Sequence, residues 1–369
     1  MFSKSELQRY ARHFVLPNFG KEAQLKLKNA RVLVVGAGGL GSPVLLYLAA
    51  AGVGNIGIVD FDTVDDSNLQ RQVLFTVQDV GLAKAETAKQ RLLQLNPHLN
   101  IEVFPVALTA DNALEIIKNY DIVADGTDNF PTRYLVNDAC VILGKVNVYA
   151  SIFRYEGQVA VFNYLKEDGT RSANYRDLFP QPPAPDTVPN CAEGGILGVL
   201  AGMIGTLQAN EVIKVISGNG EPLVDQLYIL DSASLLSRKL KIRKNSSIKI
   251  TELIDYQAFC GLKTNEKENS NGVKEITTEE FKKWQRSEYQ HRLLDVREEY
   301  EYEIDNLAGE LVPSEQVADY EFDFNPTVKV VVHCKSGARS QRAIEVLKQR
   351  FPEVIFLNLT GGIDAYRKG

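Results

Sequence analysis

The chain has 369 residues, 44% of them hydrophobic and 24% charged, with a formal net charge of −6. That length exceeds one ordinary core, so two domains are expected, and the acidic balance argues against broad nucleic-acid binding. The opening MFSKSELQRYARHF lacks an apolar signal core, and the longest apolar run, Ile196 to Leu207, is too short for a bilayer; no membrane partner and a cytoplasmic location are therefore expected.

Residues 31–35, RVLVV, form a short apolar run that ends in GAGGLGS. Helical spacing follows through LLYLAAAGV, and NIGIVDFD reads as a second buried strand. IEVFPV and YDIVADGTD continue as strands, with helices predicted at LAKAETAKQRLLQL and ADNALEIIKNY. Strands and helices alternating in this way predict an α/β fold with a parallel sheet, a Rossmann-like winding. From Val148 to about Ile250 the texture changes. GQVAVFNYL and DQLYILD suit antiparallel or mixed pairing, and between them lie a proline-rich loop, FPQPPAPDTVP, and a helix expected over EGGILGVLAGMIGTLQANEVIKVI.

The stretch KTNEKENSNGVKE, residues 263–275, is polar and nearly free of large apolar side chains, as a linker would be. It separates a first domain, 1–262, from a smaller α/β unit, 276–369. The second reads as helix ITTEEFKKW, strand HRLLDVRE, strand TVKVVVHC, helix SQRAIEVLKQRF and strand VIFLNL.

Gly36, Gly38 and Gly41 give the GxGxxG spacing directly after a strand. Such a turn lets the backbone approach phosphate or sugar, and the helix N-terminus behind it favours negative charge. Alone the motif reads as a dinucleotide-binding oxidoreductase, and Asp60 and Asp62 after the next strand suit a ribose. Asn68, Arg71, Lys84, Asp128 and Asn129 change the balance. Cations suit triphosphate oxygens and a carboxylate suits Mg²⁺, whereas a hydride-transfer site has no use for that set.

RYARHFVLP, GAGGLGSP, DFDTVDDSNLQRQ, GLAKAE, DGTDN, RYLVNDAC, YEGQV and CAEGGILG are spread over residues 1–250. Together they resemble the MoeB/ThiF family, the bacterial relatives of ubiquitin-activating enzymes. The resemblance implies that Gly39, Gly41, Asp60, Asp62, Ser67, Asn68, Arg71, Lys84, Asp128 and Asn129 contact ATP or its metal. Asp128 matches the metal-binding carboxylate, and Arg12 matches an arginine that reaches the neighbour's phosphates across a homodimer. The implied reaction is attack of a carboxylate on the α-phosphorus of ATP, giving an acyl-adenylate on the Gly-Gly tail of a ubiquitin-like sulfur carrier of the MoaD or ThiS type. Molybdenum cofactor or thiamine biosynthesis is the implied setting, with tRNA thiolation a close variant. An NAD(P)-dependent oxidoreductase, or a second domain that only docks, are the competing readings.

Family members usually carry two CxxC pairs around a structural zinc. Here Asn174, Asp177 and Gln257 stand at three of those positions and only Cys260 remains, a poor tetrahedral set, so no zinc is expected. Four cysteines far apart in sequence argue against a disulfide framework. Cys140, in NDACVIL, reads as a core residue. Cys191 precedes a glycine-rich helix, where a thiolate is favoured, and matches the cysteine proposed to bond covalently to the carrier in related enzymes. Cys334 ends a buried strand in VVVHCKSGARS. Backbone N–H groups of such a loop hold an anion, and Arg339 with the following helix is expected to stabilise a thiolate or persulfide. The loop, LLDVRE and LTGGIDAY resemble a rhodanese sulfurtransferase domain. Four residues separate Cys334 from Arg339, one fewer than in related phosphatases, which suits sulfur rather than phosphate. DNLAGE replaces the usual GHIPGA, a departure from the family pattern. An upstream sulfur donor is implied.

Overall fold

The computed structural model describes residues 1–183, 195–261, 273–287 and 289–368. The chain divides into two compact units, Met1–Lys263 and Thr264–Gly369. Cys191 lies outside the described residues, as do most of the expected linker and part of the proline-rich loop.

The first unit is built on a sheet of eight strands: β1 (Arg31–Val35), β2 (Asn55–Val59), β3 (Asn100–Phe104), β4 (Ile122–Asp125), β5 (Val146–Phe153), β6 (Glu156–Phe162), β7 (Gln226–Asp231) and β8 (Ser237–Lys241). They lie in the order β3-β2-β1-β4-β5-β6-β7-β8. The first five are parallel, and β6, β7 and β8 are added antiparallel. The helices are α1 (Lys4–Arg9), α2 (Ala11–Phe14), α3 (Gly20–Asn29), α4 (Gly41–Ala51), α5 (Lys84–Leu95), α6 (Ala113–Ile117), α7 (Phe130–Ile142) and α8 (Tyr175–Leu178), then helices at Gly198–Ser217 and Tyr256–Phe259.

The sheet is covered on both faces, which is why β1 is apolar at every position after Arg31. Val32 and Val34 pack into one core with Val44, Leu45 and Leu48 of α4, Leu92 of α5 and Leu200 and Ile204 of the Gly198–Ser217 helix. Leu33 and Val35 point the other way, toward Ile117 of α6 and Tyr134, Val136 and Cys140 of α7. Gly198–Ser217 has the length and composition of a membrane span, yet it packs against α4, β5 and β6.

The second unit has five parallel strands in the order β11-β10-β12-β13-β9. They are β9 (Lys274–Ile276), β10 (His291–Asp295), β11 (Glu310–Leu311), β12 (Lys329–His333) and β13 (Phe356–Leu359). Helix Ala338–Arg350 covers one face through Ala343, Ile344 and Leu347. Phe281 of helix Thr278–Arg286 packs on the other, against Val331, Leu357 and Leu359.

Several boundaries differ from the sequence reading. Lys274 and Glu275, in the expected linker, pair with β13 as strand, with Val273 buried beside them. The helix expected from Glu193 has Leu197 as its N-cap, in extended conformation, and starts at Gly198. The strand expected through Glu298 ends at Asp295 and gives way to helix Glu299–Ile304, which carries its own capping box. The three N-terminal helices were not anticipated either.

Candidate functional sites

The C-terminal ends of β1, β2 and β4 open into a cleft, and Gly36, Gly38, Gly39, Asp60, Asp62, Arg71, Lys84, Asp128 and Asn129 all line it. The glycine turn is sterically fixed. Gly36 has φ of +92°, and a Cβ on Gly41 would lie 1.9 Å from the Gly36 carbonyl oxygen. Gly41 thus acts under the turn rather than on its surface. Asp60 accepts from the backbone N–H of Ala37 at 2.7 Å and of Asp62 at 2.9 Å, which ties β2 to the glycine turn. Burial pushes the Asp60 carboxyl up against those bonds and the nearby charge of Lys84. Lys84 is buried and its Nζ donates to Asp62 at 3.1 Å. Arg71 packs its stem beside Gly39 and donates to the Ser67 carbonyl. Val106, Leu108, Ile152 and Ile196 supply an apolar wall.

The remaining expected residues sit differently. Ser67 bonds to Asp65, and Asn68 accepts from Gln72 at 3.0 Å; neither lines the cleft. Asn129 lines it, but its carboxamide oxygen caps α7 through the Thr132 N–H at 3.0 Å. Arg12 is exposed on α2 and is not part of the cleft wall. Exposed Asp128 offers a hard oxygen donor in a roomy, solvated cleft, which fits Mg²⁺ shared with substrate phosphates.

Sequence reading missed a buried polar layer at the cleft floor. Asp125, Thr127, Arg133 and Gln208 are all buried; Thr127 and Arg133 reach the cleft wall, whereas Asp125 and Gln208 lie behind it, and Gln208 donates to the carbonyls of Asp125 and Val148, both at 2.8 Å. Gln72, also buried, lines the cleft and keeps an unpaired Oε1 among the described residues. Buried polar side chains have no periodic signature: Asp125 and Thr127 lie inside the DGTD motif and Arg133 opens RYLVNDAC, yet only Asp128 was singled out among the polar residues there.

Where the family's zinc ligands would stand, the residues do not fit a metal. Asn174 and Asp177 close a capping box at the start of α8, and Asp177 also accepts from the Asn245 N–H at 2.8 Å. Arg176 instead makes a two-pronged bond to Asp138, at 2.8 and 2.7 Å, and the Tyr256 hydroxyl donates to the same carboxylate at 2.8 Å. The guanidinium lies over the rings of Tyr134 and Phe259, 5.0 and 4.5 Å from their centroids. An ion pair and two rings thus join α7, α8 and the Tyr256–Phe259 helix, and Cys260 is buried beside them.

In the second unit Cys334 follows β12 and is 1% exposed. Its sulfur accepts from the Gly337 N–H at 3.1 Å and lies 3.5 Å from the Ser340 hydroxyl. Ser340 and Asn358 brace the loop, each bonding to the Gly337 carbonyl and to one another. Gly362 must lack a side chain, since a Cβ would lie 2.4 Å from the carbonyls of Cys334 and Lys335. The two terminal nitrogens of Arg339 donate to Glu301 at 2.6 and 2.8 Å. Burial pushes the Glu301 carboxyl up, but those bonds outweigh it and hold it below its ordinary range. Arg339 was expected to serve the sulfur; these two bonds turn its end toward the Glu299–Ile304 helix. Asp295 and Arg297 form a buried pair behind the loop, at 2.6 Å. Ser340, Asn358 and Glu301 were not singled out in the sequence.

Residues 10–250 match the ThiF family and residues 277–368 the rhodanese-like domain. The chain is 45% identical to "Probable adenylyltransferase/sulfurtransferase MoeZ" of Mycobacterium tuberculosis, over 99% of this chain and 94% of that protein. It is 43% identical to "Adenylyltransferase and sulfurtransferase MOCS3" of Drosophila grimshawi, over 99% and 84%. "Sulfur carrier protein adenylyltransferase" of Thermus thermophilus is 51% identical over 71% of this chain and 99% of its own length. Among solved structures, E. coli MccB with AMPCPP and SeMet MccA aligns at 25% identity with a TM-score of 0.55, covering 66% of this chain and 73% of MccB. With the glycine turn, the cation-lined cleft and the Cys334 loop all in place, the chain belongs to the ThiF family and carries a rhodanese-like domain at its C-terminal end.

Proposed function

We propose that the first unit adenylates the C-terminal glycine of a ubiquitin-like sulfur carrier and that Cys334 of the second unit delivers sulfur to it. One observation carries the reading: a single cleft brings Arg71, Lys84 and Asp128 together beyond the glycine turn, with Asp60 and an apolar wall beside them. The wall suits an adenine and Asp60 a ribose. Arg71 and Lys84 suit the phosphates, where charge builds as the carrier carboxylate attacks the α-phosphorus and pyrophosphate leaves. Asp128 would hold Mg²⁺, which adds positive charge at the phosphates when bound. The names of the relatives above and the binding of AMPCPP, an ATP analogue, by MccB support this assignment.

For sulfur transfer, a persulfide on Cys334 attacks the adenylated carbonyl and AMP leaves, giving an acyl disulfide. A second thiol, for which Cys191 is the candidate, then attacks the Cys334 sulfur, forming a Cys191–Cys334 disulfide as the acyl disulfide's sulfur–sulfur bond breaks and the thiocarboxylate leaves. The Gly337 N–H and Ser340 hydroxyl suit a negatively charged sulfur at Cys334. The finer reading includes a cytoplasmic homodimer in which Arg12 reaches the neighbour's phosphates, no resident zinc, and a carrier serving molybdenum cofactor or thiamine biosynthesis.

ATP–pyrophosphate exchange with Mg²⁺ and a panel of Gly-Gly-tailed carriers tests this and identifies the carrier. Asp128→Ala is expected to abolish exchange. Cys334→Ala is expected to leave exchange intact and block thiocarboxylate formation, detected by mass spectrometry of the carrier. Exchange lost in folded Cys334→Ala would refute the division of labour.

A further inference from the structure

Asp125 ends β4 fully buried, three residues before Asp128, and the chemistry above gives it no part. Its Oδ1 accepts from both the N–H and the hydroxyl of Thr127, at 3.0 and 2.6 Å. Its Oδ2 has no hydrogen-bond partner among the described residues. On the other side of the same residue, the guanidinium of buried Arg133 donates to the Thr127 carbonyl at 3.1 Å. No ion pair within 4.0 Å joins Asp125 to Arg133 among the described residues. The two side chains converge on opposite ends of Thr127 rather than on each other.

Burying a carboxyl group and a guanidinium without direct pairing is costly, and apolar residues of similar volume fill a core at least as stably. The pair therefore calls for another explanation than packing. Its surroundings hold it rigidly. Gln208 bonds to the Asp125 carbonyl, Arg133 lies 5.2 Å from the Tyr149 ring centroid, and the Arg133 N–H bonds to the Asn129 carbonyl at 3.2 Å. The Gly126 N–H bonds to the Val35 carbonyl, which ties the loop to the end of β1. The one member of the 125–129 turn left exposed between these anchors, other than the α7 cap Asn129, is Asp128.

We propose that Asp125 and Arg133 are positioning residues that clamp Thr127 from both sides and so aim the Asp128 carboxylate at the metal that accompanies ATP. This rests on the reading of Asp128 given above. Groups that orient a metal-binding carboxylate without touching the metal typically affect metal affinity about 10–100-fold when removed. A residue that merely stabilised the fold would lower thermal stability and would not change the metal preference of the folded fraction.

Binding is the readout, so turnover need not be measured. Affinity for a fluorescent ATP analogue is measured in EDTA and in Mg²⁺, and Mn²⁺ binding to the protein–ATP complex is followed by electron paramagnetic resonance. Thr127→Val removes only the hydroxyl bond to Asp125 and keeps the side-chain shape; Asp125→Ala removes the anchor entirely. Both are expected to bind nucleotide in EDTA as the parent does, to lose most of the gain from Mg²⁺, and to bind Mn²⁺ about tenfold or more weakly. Thr127→Ser, which restores the hydroxyl, is expected to recover the parent Mn²⁺ affinity. Folded Thr127→Val with Mn²⁺ affinity within about twofold of the parent would overturn the clamp, as would an equal loss of nucleotide affinity with and without metal. If Asp128→Ala bound Mn²⁺–ATP as the parent does, the reading of Asp128 would fall and the clamp with it; loss in Asp128→Ala but not in Thr127→Val would refute the clamp alone.

Discussion

Arg176→Ala should be among the most destabilising substitutions in the first unit. The Arg176 and Asp138 side chains are 11% and 2% exposed, so screening by water does little to weaken the pair. Removing the guanidinium leaves the Asp138 carboxylate with the Tyr256 hydroxyl and the Asn137 carboxamide as neutral donors. An uncompensated buried charge of this kind costs about 3–5 kcal/mol. At about 2–4 °C per kcal/mol for a unit of this size, the first thermal transition should fall by about 6–20 °C. Scanning calorimetry reads that shift. Arg176→Met with Asp138→Leu should recover much of it, because the double change removes both charges from the same apolar pocket. The parent should melt at one temperature with and without a strong chelator. A loss below about 1 kcal/mol for Arg176→Ala would refute this account of the Arg176–Asp138 pair, and so would stoichiometric zinc whose removal lowers the parent's transition.

Three other outcomes follow from the geometry. Gly41→Ala drives a methyl group into the Gly36 carbonyl, so the turn must shift by an ångström or more, and pyrophosphate exchange should fall about a hundredfold or more. Burial pushes the Glu6 carboxyl up, but bonds from Lys28 and Ser3 outweigh it and hold the group down at about 2. Its stabilising contribution is therefore complete above its ordinary value near 4.5 and is lost as pH falls toward about 2. Acid titrations of the parent and Glu6→Gln should differ most above that window and converge within it. Burial pushes the thiols of Cys140 and Cys260 up, so neither should react with iodoacetamide in the folded protein within the time that exposed thiols are consumed, as peptide mass spectrometry would show.

The parallel half of the first sheet was legible because a doubly covered strand must be apolar throughout, as RVLVV is, and because the glycine turn marks where β1 ends. The short N-terminal helices were not, since KSELQR and ARHF have too few turns to display a period, and α1 is fixed by the Ser3–Glu6 capping box and the Glu6–Lys28 pair. At the site, Arg71, Lys84 and Asp128 were legible because charges after apolar strands stand out. Asn68 and Ser67 belong to the same motif but serve the turn around Asp65 and Gln72, a local bond pattern that residue type alone does not reveal. Asp125, Arg133 and Gln208 did not stand out for the opposite reason: they are polar residues within apolar stretches, Asp125 and Arg133 meeting locally on Thr127 and Gln208 reaching the Asp125 carbonyl from the distant Gly198–Ser217 helix.

Both units place their chemistry at the same kind of position, and the parallel sheet is the reason. In a parallel sheet every strand delivers its C-terminal end to one edge, so loops distant in sequence meet there without further devices. In the first unit β1, β2 and β4 bring the glycine turn, Asp60 and Asp128 together; in the second, β12 and β13 bring Cys334 against Gly362. Each loop then needs a neighbour with no side chain where it crosses the next one. Gly36 meets Gly126, and Gly362 meets the Cys334 and Lys335 carbonyls. The two loops part in what they hold. The first keeps its exposed carboxylate, Asp128, at the rim of an open cleft suited to a hydrated metal and a large nucleotide. The second buries Cys334 under two donors and pairs Arg339 with Glu301, an arrangement suited to one small, polarisable sulfur atom. Adding bulk at the glycines should therefore abolish either activity, whereas changing charge at Arg71 or Glu301 should affect only the unit that carries it.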